Sequence, residues 1–308
     1  MSDNMSTLHE ICVKMARKQP GMADSLTEDA PILRVVKWKP STHGLWNVAE
    51  KLEEVTGPAF VEPDAPLPLI RASTSLVHTD LHVMGGTMEV PTQRALKFGG
   101  AARYFADKQD VILRRAGMDT ERQLVEKNWL KAAQASRNLK DAGGKGQGWW
   151  LLAVRFDELN NCGLYDPDQF SQGRLFNIET PYGGAEHQLH GEYEGVYGFA
   201  VIYRANFGWQ ILAAKRTCAA IVNIDEECKP TPAMIDDMLA DVRAQPGNTY
   251  IFCGPKGKIH GLNPYKVDNV QLANGDTDAK TRVETWNGIS IIPSHNFAAK
   301  TANIKVPA

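Results

Sequence analysis

The chain has 308 residues, of which 43% are hydrophobic and 23% are charged, and its formal net charge is −2. This composition is typical of a folded globular protein of about two domains. With 34 basic residues against 36 acidic ones, there is no basic excess that would bind phosphates, which argues against tight binding to DNA or RNA.

The cysteines and the apolar stretches bear on the cellular compartment. The five cysteines are scattered and show no CxxC spacing, which favours reduced thiols in a cytoplasm over a disulfide framework. The polar start of the sequence predicts no signal peptide, and no apolar stretch approaches the roughly 20 residues of a membrane helix. We therefore expect a protein that is made in the cytoplasm and has no membrane partner.

The first 42 residues predict an N-terminal arm. Thr7 and Glu10 have the spacing of a capping box, and Leu8 begins an apolar repeat at helical intervals, which together predict one short amphipathic helix. Prolines and glycines interrupt the following stretch, in which residues 32–38 have the pattern of a strand. We expect no compact core in this part of the chain.

Residues 43–91 predict a long β-ribbon of two strands. The strands flank a loop that contains four prolines, which remove backbone donors and stiffen the tip: Pro58, Pro63, Pro66 and Pro68. A lone ribbon is marginally stable in water. We therefore expect this ribbon to lie on another subunit.

Residues 92–148 predict helices. Gly99 and Gly100 interrupt a first helical stretch, and Asp119 predicts the N-cap of a second helix that ends at Gly143 and Gly144. This second helix, with about 22 residues and a length of ~33 Å, would be the longest in the chain.

Residues 149–308 predict a mixed α/β domain. Strands begin at Trp149, a helix follows Thr231 with Pro232 in its first turn, and a closing strand lies near residues 286–293. The Asn287-Gly288 pair predicts the tight turn that precedes this last strand.

No group of residues predicts an active site. The glycine- and lysine-rich segments 143–148 and 254–258 lack the pattern of a phosphate-binding loop. His187 and His190, beside Glu186, have a spacing that two metal ligands can adopt, but glycines surround them and we interpret them as part of a solvated loop.

Two other pairs of residues also favour a structural role. Cys253 and His260 are interpreted as a core thiol and a nearby imidazole, although a nucleophile and its base stay open as an alternative. The adjacent Trp149 and Trp150 must point to opposite faces of one strand, which favours a place in the core over a sugar-binding surface. We therefore predict no catalytic, metal-binding or cofactor-binding residue, no cofactor and no enzyme activity.

The order of these elements resembles the major capsid proteins of tailed bacteriophages, a fold family shared with encapsulins. The second half carries the more specific motifs: a Y-x-P step at Tyr165 and Pro167, the run Asn223-Ile224-Asp225 before a helix, and the closing strand. Ser290 departs from the pattern, since the family often has proline there. The first helix is similar to that of the podovirus-type branch.

The resemblance implies an α+β capsid fold with named parts. These are an N-terminal arm (1–42), an extended β-ribbon or E-loop (43–91), a peripheral domain with the spine helix (92–148) and an axial α/β domain (149–308). It also implies a structural protein of the virion, which self-assembles in the host cytoplasm.

The implied assembly consists of hexamers and pentamers that form an icosahedral shell, through a procapsid, around double-stranded DNA. The expected partners are other copies of the chain, a portal protein, a decoration or cement protein, and DNA through weak non-specific contact. No long N-terminal segment resembles a built-in scaffold, so a separate scaffolding protein is expected, with assembly without one as the alternative.

Five residues are predicted to contact other subunits: Leu8, Ile11, Trp46, Phe60 and Leu69. Packing within the chain is the alternative for each of them. Lys51 is the only lysine of the ribbon, and we expect no covalent cross-link between subunits. Two other functions stay open: an encapsulin-like nanocompartment shell around a cargo enzyme, and a β-rich carbohydrate-active hydrolase or lyase.

Overall fold

The computed structural model describes residues 5–15, 19–145, 148–171, 175–265, 270–273, 283–297, 304 and 306. The helices are α1 (Leu8–Met15), α2 (Pro20–Glu28), α3 (Pro31–Val35), α4 (Thr92–Lys97), α5 (Ala101–Gln123), α6 (Leu130–Ala135), α7 (Pro167–Ser171), α8 (Ala214–Thr217), α9 (Pro232–Asp241) and α10 (Pro255–Gly261). A π-helical segment (Leu124–Trp129) joins α5 to α6, and short 3₁₀ turns span Pro181–Gly184 and Asn263–Tyr265.

The described strands are β1 (Trp38–Pro40), β2 (Trp46–Thr56), β3 (Arg71–Asp80), β4 (His82–Pro91), β5 (Leu139–Asp141), β6 (Trp149–Arg155), β7 (Asn161–Tyr165), β8 (Asn177–Glu179), β9 (His187–Gln188), β10 (Tyr197–Ile211), β11 (Cys218–Ile224), β12 (Thr249–Cys253), β13 (Val270–Ala273), β14 (Val283–Trp286) and β15 (Ile289–Pro293). They form three sheets. The central sheet has the order β13-β14-β15-β12-β6-β11-β5, a second sheet has β1-β7-β10-β4 with β8 and β9 on β10, and β2 and β3 pair only with each other.

The N-terminal helices pack into the main core, which corrects the prediction of an arm without a core. The capping box is confirmed, because the Thr7 amide donates to the Glu10 carboxylate (2.8 Å) and the Glu10 amide donates to Thr7 Oγ1 (3.3 Å). The side chains of Leu8 and Ile11 are only 1% and 3% exposed. These two residues therefore pack within the single chain, which favours the alternative of intramolecular packing over the predicted subunit contact.

The strand predicted over residues 32–38 is also corrected. Pro31 starts α3, where its fixed φ and its missing N–H are tolerated, and strand geometry begins only at Trp38. The indole ring of Trp38 lies 5.0 Å from the ring of Phe207 and 4.6 Å from that of Trp209. This aromatic contact holds the N-terminal segment on the second sheet.

The stretch that was predicted as the return strand of the ribbon forms two separate strands, β3 and β4. The ribbon ends at Asp80. The next strand, β4, belongs to the second sheet, where all of its residues pair antiparallel with β10. Gly85 permits this pairing, because a Cβ atom there would lie 2.2 Å from the carbonyl oxygen of Tyr203. The predicted ribbon of residues 43–91 is therefore confirmed only for β2 and β3.

The longest helix is continuous from Ala101 to Ala135, through α5, the π-helical segment and α6. The predicted break at Gly99 and Gly100 is confirmed, with φ angles of +82° and +112°. The predicted cap at Asp119 is wrong: this carboxylate lies inside the helix, 3.0 Å from Arg115 Nε. The predicted helix end at Gly143 and Gly144 is also wrong, because α6 ends at Ala135 and β5 begins at Leu139.

Gly117 lies buried inside this helix, where the carbonyl group of Leu26 approaches its backbone. A Cβ atom at Gly117 would lie 1.8 Å from the Leu26 oxygen. We expect Gly117→Ala to lower the free energy of unfolding by about 3 kcal/mol, because overpacking outweighs the gain of about 1 kcal/mol in helix propensity. Urea unfolding followed by circular dichroism measures it. Gly21→Ala in α2, where nothing lies within 4 Å, is the control and should be neutral or stabilising by up to about 1 kcal/mol.

Glu121 joins three distant segments in the same core. Its buried carboxylate accepts hydrogen bonds from the Ile32 amide (2.9 Å), from Asn296 Nδ2 (3.1 Å) and from the Ser294 hydroxyl. Asn296 Nδ2 also donates to the Asp29 carbonyl (2.8 Å). Burial raises the pKa of Glu121, and these hydrogen bonds act against that shift.

The predicted closing strand is confirmed. Asn287 and Gly288 form the turn with φ angles of +47° and +80°, and β15 then pairs parallel with β12 inside the central sheet. Asn287 Nδ2 and Trp286 Nε1 both donate to Asp236 Oδ1, at 2.9 and 2.8 Å, which fixes the turn on α9. The predicted start of α9 is confirmed as well, since Thr231 Oγ1 caps it.

The central sheet separates two apolar cores. Adjacent side chains of β6 alternate between them, so that Trp150 packs in the main core with the long helix, whereas Trp149 packs on the other side with α9. Both indole rings are buried, which confirms the core role predicted for this pair. The final hairpin contributes Ile289 and Ile291 to the second core.

Candidate subunit-interaction surface

The ribbon of β2 and β3 is a sheet of its own that is open to solvent. The strands pair antiparallel from Trp46–Asp80 at the base to Thr56–Arg71 near the tip, with an irregularity between Leu52 and Glu54. Every residue from 52 to 74 is exposed. Since a two-stranded sheet needs a packing partner to be stable, this arrangement indicates a partner outside the chain.

Large apolar side chains lie along this exposed ribbon. The exposed members are Leu52, Val55, Phe60, Val61, Leu67, Leu69, Ile70 and Leu76. Five of them lie in the proline-rich tip between the two strands. A group of large exposed apolar side chains in one segment is typical of an interaction site.

The ribbon is also acidic. Between residues 46 and 80, only Lys51 and Arg71 are basic, and the acidic residues are Glu50, Glu53, Glu54, Glu62, Asp64 and Asp80. The Ser75 hydroxyl, which donates to Glu53 Oε1 (2.7 Å), and the Lys51 ammonium lower the pKa of Glu53. Glu53 is therefore ionised at neutral pH, and a partner of the ribbon should present basic groups.

The long helix and α4 present a surface of the opposite sign. Its exposed basic side chains outnumber the exposed acidic ones, Asp107 and Asp110; the basic ones are Arg94, Lys97, Arg103, Lys108, Arg115, Arg122, Lys127 and Lys131. Exposed apolar side chains lie among them: Leu96, Phe98, Val111 and Ile112. Residues 92–135 thus combine exposed apolar area with the positive charge that the acidic ribbon lacks.

The base of the ribbon is fixed to the body. Trp46 is stacked between His43 (3.8 Å between ring centroids) and His78 (4.9 Å). The buried side chains of Asn47 and Gln210 are hydrogen-bonded at 2.5 Å. These contacts hold the ribbon at one end and leave its tip exposed.

The predicted contact residues therefore separate into two groups. Phe60, which is fully exposed, and Leu69 lie on the open tip, whereas Trp46 is half-buried at the base and stacks within the chain. The sequence reasoning missed Leu67, Ile70 and the basic helix. The contrast in net charge between residues 46–80 and 92–135 is present in the sequence, and it would have indicated the helix as a second interaction surface.

The residues that were considered as metal ligands or as a catalytic pair are held by contacts within the fold. His187 Nδ1 lies 3.0 Å from the Ala185 carbonyl oxygen in a short edge strand, and among the described residues no group of three potential ligands is placed to hold a metal ion. Cys253 is buried in β12, and the imidazole of His260 stacks on Trp149 at 4.5 Å. None of the helices in the described ranges is long and apolar enough to cross a bilayer.

No protein-family model matches the sequence, and no curated protein matches it. Solved structures do match. The capsid of bacteriophage JBD30 is similar over 88% of this chain and 92% of its own, with a TM-score of 0.53 and 10% identity. A structure of bacteriophage Epsilon15 covers 86% of each chain (TM-score 0.49, 11% identity). The SrpI encapsulin of Synechococcus elongatus PCC 7942 covers 64% of this chain and 88% of its own (TM-score 0.44, 10% identity).

The likeness to the JBD30 capsid extends over nearly the whole of both chains. At this low identity, the likeness concerns the fold. This chain has the α+β capsid fold of tailed bacteriophages.

Proposed function

We propose that this chain is the major capsid protein of a tailed bacteriophage. In this function, copies form hexamers and pentamers and close into an icosahedral shell around double-stranded DNA. A fold alone does not define a function. The observation that carries the proposal is the ribbon, because an exposed strand pair with eight large apolar side chains requires a neighbouring molecule.

The long helix of a neighbouring copy is the proposed partner of the ribbon. The acidic ribbon and the basic, partly apolar helix are complementary in charge and in apolar area. Within a shell each copy donates one ribbon and accepts another. Many weak contacts of this kind allow wrong placements to dissociate, while their sum stabilises the closed shell.

The remaining parts of the proposal follow from this assembly. The mature location is the virion, with assembly in the host cytoplasm through a procapsid. A separate scaffolding protein, a portal protein and a decoration protein are the proposed partners, and the role of the chain is structural rather than enzymatic. The slight net negative charge of −2 fits a container that binds its packaged DNA weakly.

The size of the purified chain tests this proposal. We expect ring-shaped capsomers or closed shells, either from the chain alone or after co-expression with a scaffolding protein from the same genome. Size-exclusion chromatography with light scattering and negative-stain electron microscopy measure this. A stable monomer of 34.0 kDa under both conditions would contradict the capsid function.

The contents of purified particles distinguish the capsid from its nearest alternative. DNA inside particles from infected cells supports the capsid function. A cargo enzyme and no genome would instead support a nanocompartment shell. A monomer that binds a sugar would support the hydrolase or lyase.

A further inference from the structure

A cavity of about 250 Å³ lies beyond one end of the central sheet. The adjacent parallel strands β12 and β15 end there, at Cys253 and Pro293, and β6 begins there with Trp149. In open α/β sheets, ligands commonly bind outside the carboxyl ends of parallel strands, where the segments that leave the strands form a crevice. The cavity therefore lies at a place in the fold that is typical of a ligand site.

The walls of this cavity are largely aromatic and apolar. The ring of Phe297, which follows β15, lies 4.6 Å from the ring of Trp150. On the side that follows β12, Gly254 and Pro255 contribute to the wall, and a Cβ atom at Gly254 would lie 3.2 Å from Phe297 Cβ. An apolar cavity of about 150 Å³ holds one benzene molecule, so the larger volume here suits two fused rings.

Lys256 gives the cavity a positive charge. Its ammonium nitrogen lies 5.9 Å from the centroid of the buried Trp149 ring, which also stacks on the imidazole of His260 at 4.5 Å. His295 is a second polar side chain of the lining. Among the described residues that line the cavity, none is an aspartate or a glutamate. The charge of the lining therefore favours an anion.

We propose that this cavity binds a small aromatic carboxylate. The rings of the ligand pack against Phe297 and the two tryptophans, and its carboxylate pairs with the Lys256 ammonium. A phosphate group carries more charge and is usually held by several donors, whereas this lining supplies one fully charged side chain. The site goes beyond the proposed capsid function and does not require assembly.

Equilibrium dialysis of the full-length chain against 2-naphthoate tests the site. The fluorescence of the naphthalene ring measures the bound fraction for monomers and for particles alike. We expect one ligand per chain, with a dissociation constant on the order of 1 mM or below. The probe 2-naphthylmethylammonium has the same rings and the opposite charge, and it should bind roughly tenfold more weakly.

Substitutions of Lys256 show whether the probe binds at this cavity. Lys256→Gln keeps most of the length of the side chain and removes its charge, so it should weaken binding of 2-naphthoate roughly fivefold. Lys256→Glu should reverse the preference, so that the ammonium probe binds more tightly than the carboxylate. Since Lys256 is exposed, both variants should fold, which circular dichroism checks. Lys229→Gln changes an exposed lysine outside the cavity and is the matched control.

Three results would overturn the proposal. They are no binding of 2-naphthoate, equal affinity for the two probes, and an affinity for 2-naphthoate that is unchanged in both Lys256 variants. A chain that binds the probe but never assembles would contradict the capsid function and leave the site intact. A chain that assembles but binds no probe would contradict only the site.

Discussion

Replacement of Phe60, Leu67 and Leu69 by serine is expected to abolish the assembly of particles while the isolated chain stays folded. These side chains are exposed at the tip of the ribbon, so their loss should change the free energy of unfolding by no more than about 0.5 kcal/mol. Each contributes on the order of 1–2 kcal/mol when it is buried against a neighbour. Because every copy in a shell carries the defect, the losses add over all contacts.

Light scattering and electron microscopy of the triple variant measure this effect, with urea unfolding as the test of folding. The matched control replaces Phe60 by leucine and both leucines by methionine, which retains the apolar area and should retain assembly. Val111→Ser with Ile112→Ser changes the proposed receiving helix and should give the same defect. Normal particles from the triple serine variant would contradict the role of the ribbon.

Glu121→Ala is expected to lower the free energy of unfolding by about 3–5 kcal/mol. The substitution leaves buried donors of Ile32, Ser294 and Asn296 without their acceptor and removes the link between three segments. Urea unfolding at neutral pH measures the loss. Glu54→Ala, on the exposed ribbon, is the control and should have a small effect.

Glu121 also predicts how stability depends on pH. Since burial raises its pKa in the folded chain, the folded state binds the proton more tightly than the unfolded state. The part of the stability that comes from this tighter proton binding is therefore fully present below the unfolded value of about 4.3 and is lost as the pH rises through the raised folded pKa. Glu121→Gln should remove this part of the profile. An unchanged difference between the two proteins at every pH would contradict it.

The elements that were predicted correctly are those that local chemistry determines. The Asn287-Gly288 turn needs two positive φ angles, and the cap of α9 needs only Thr231 and the proline that follows it. The same holds for the capping box at Thr7. These signals lie within a few residues of the element that they define, so one sequence suffices to read them.

The missed features depend on contacts between distant residues. Gly117 looks like a helix breaker, yet the long helix needs it because α2 packs against it. Leu8 and Ile11 look like the apolar face of a free arm, but α2, α3 and α7 pack against α1 and bury them. The candidate surface was predicted only in part. The proline content indicated an extended tip, but only the structure shows that no described part of the chain covers its apolar side chains.

The free tip of the ribbon has a genetic consequence. One gene encodes both the ribbon and the helix that is proposed to receive it, so a mutation at Phe60 enters every contact of the shell at once. A cell that makes defective and normal chains together would build both into the same rings. Tip mutations should therefore act dominantly, and compensating changes should arise on the long helix rather than in the core.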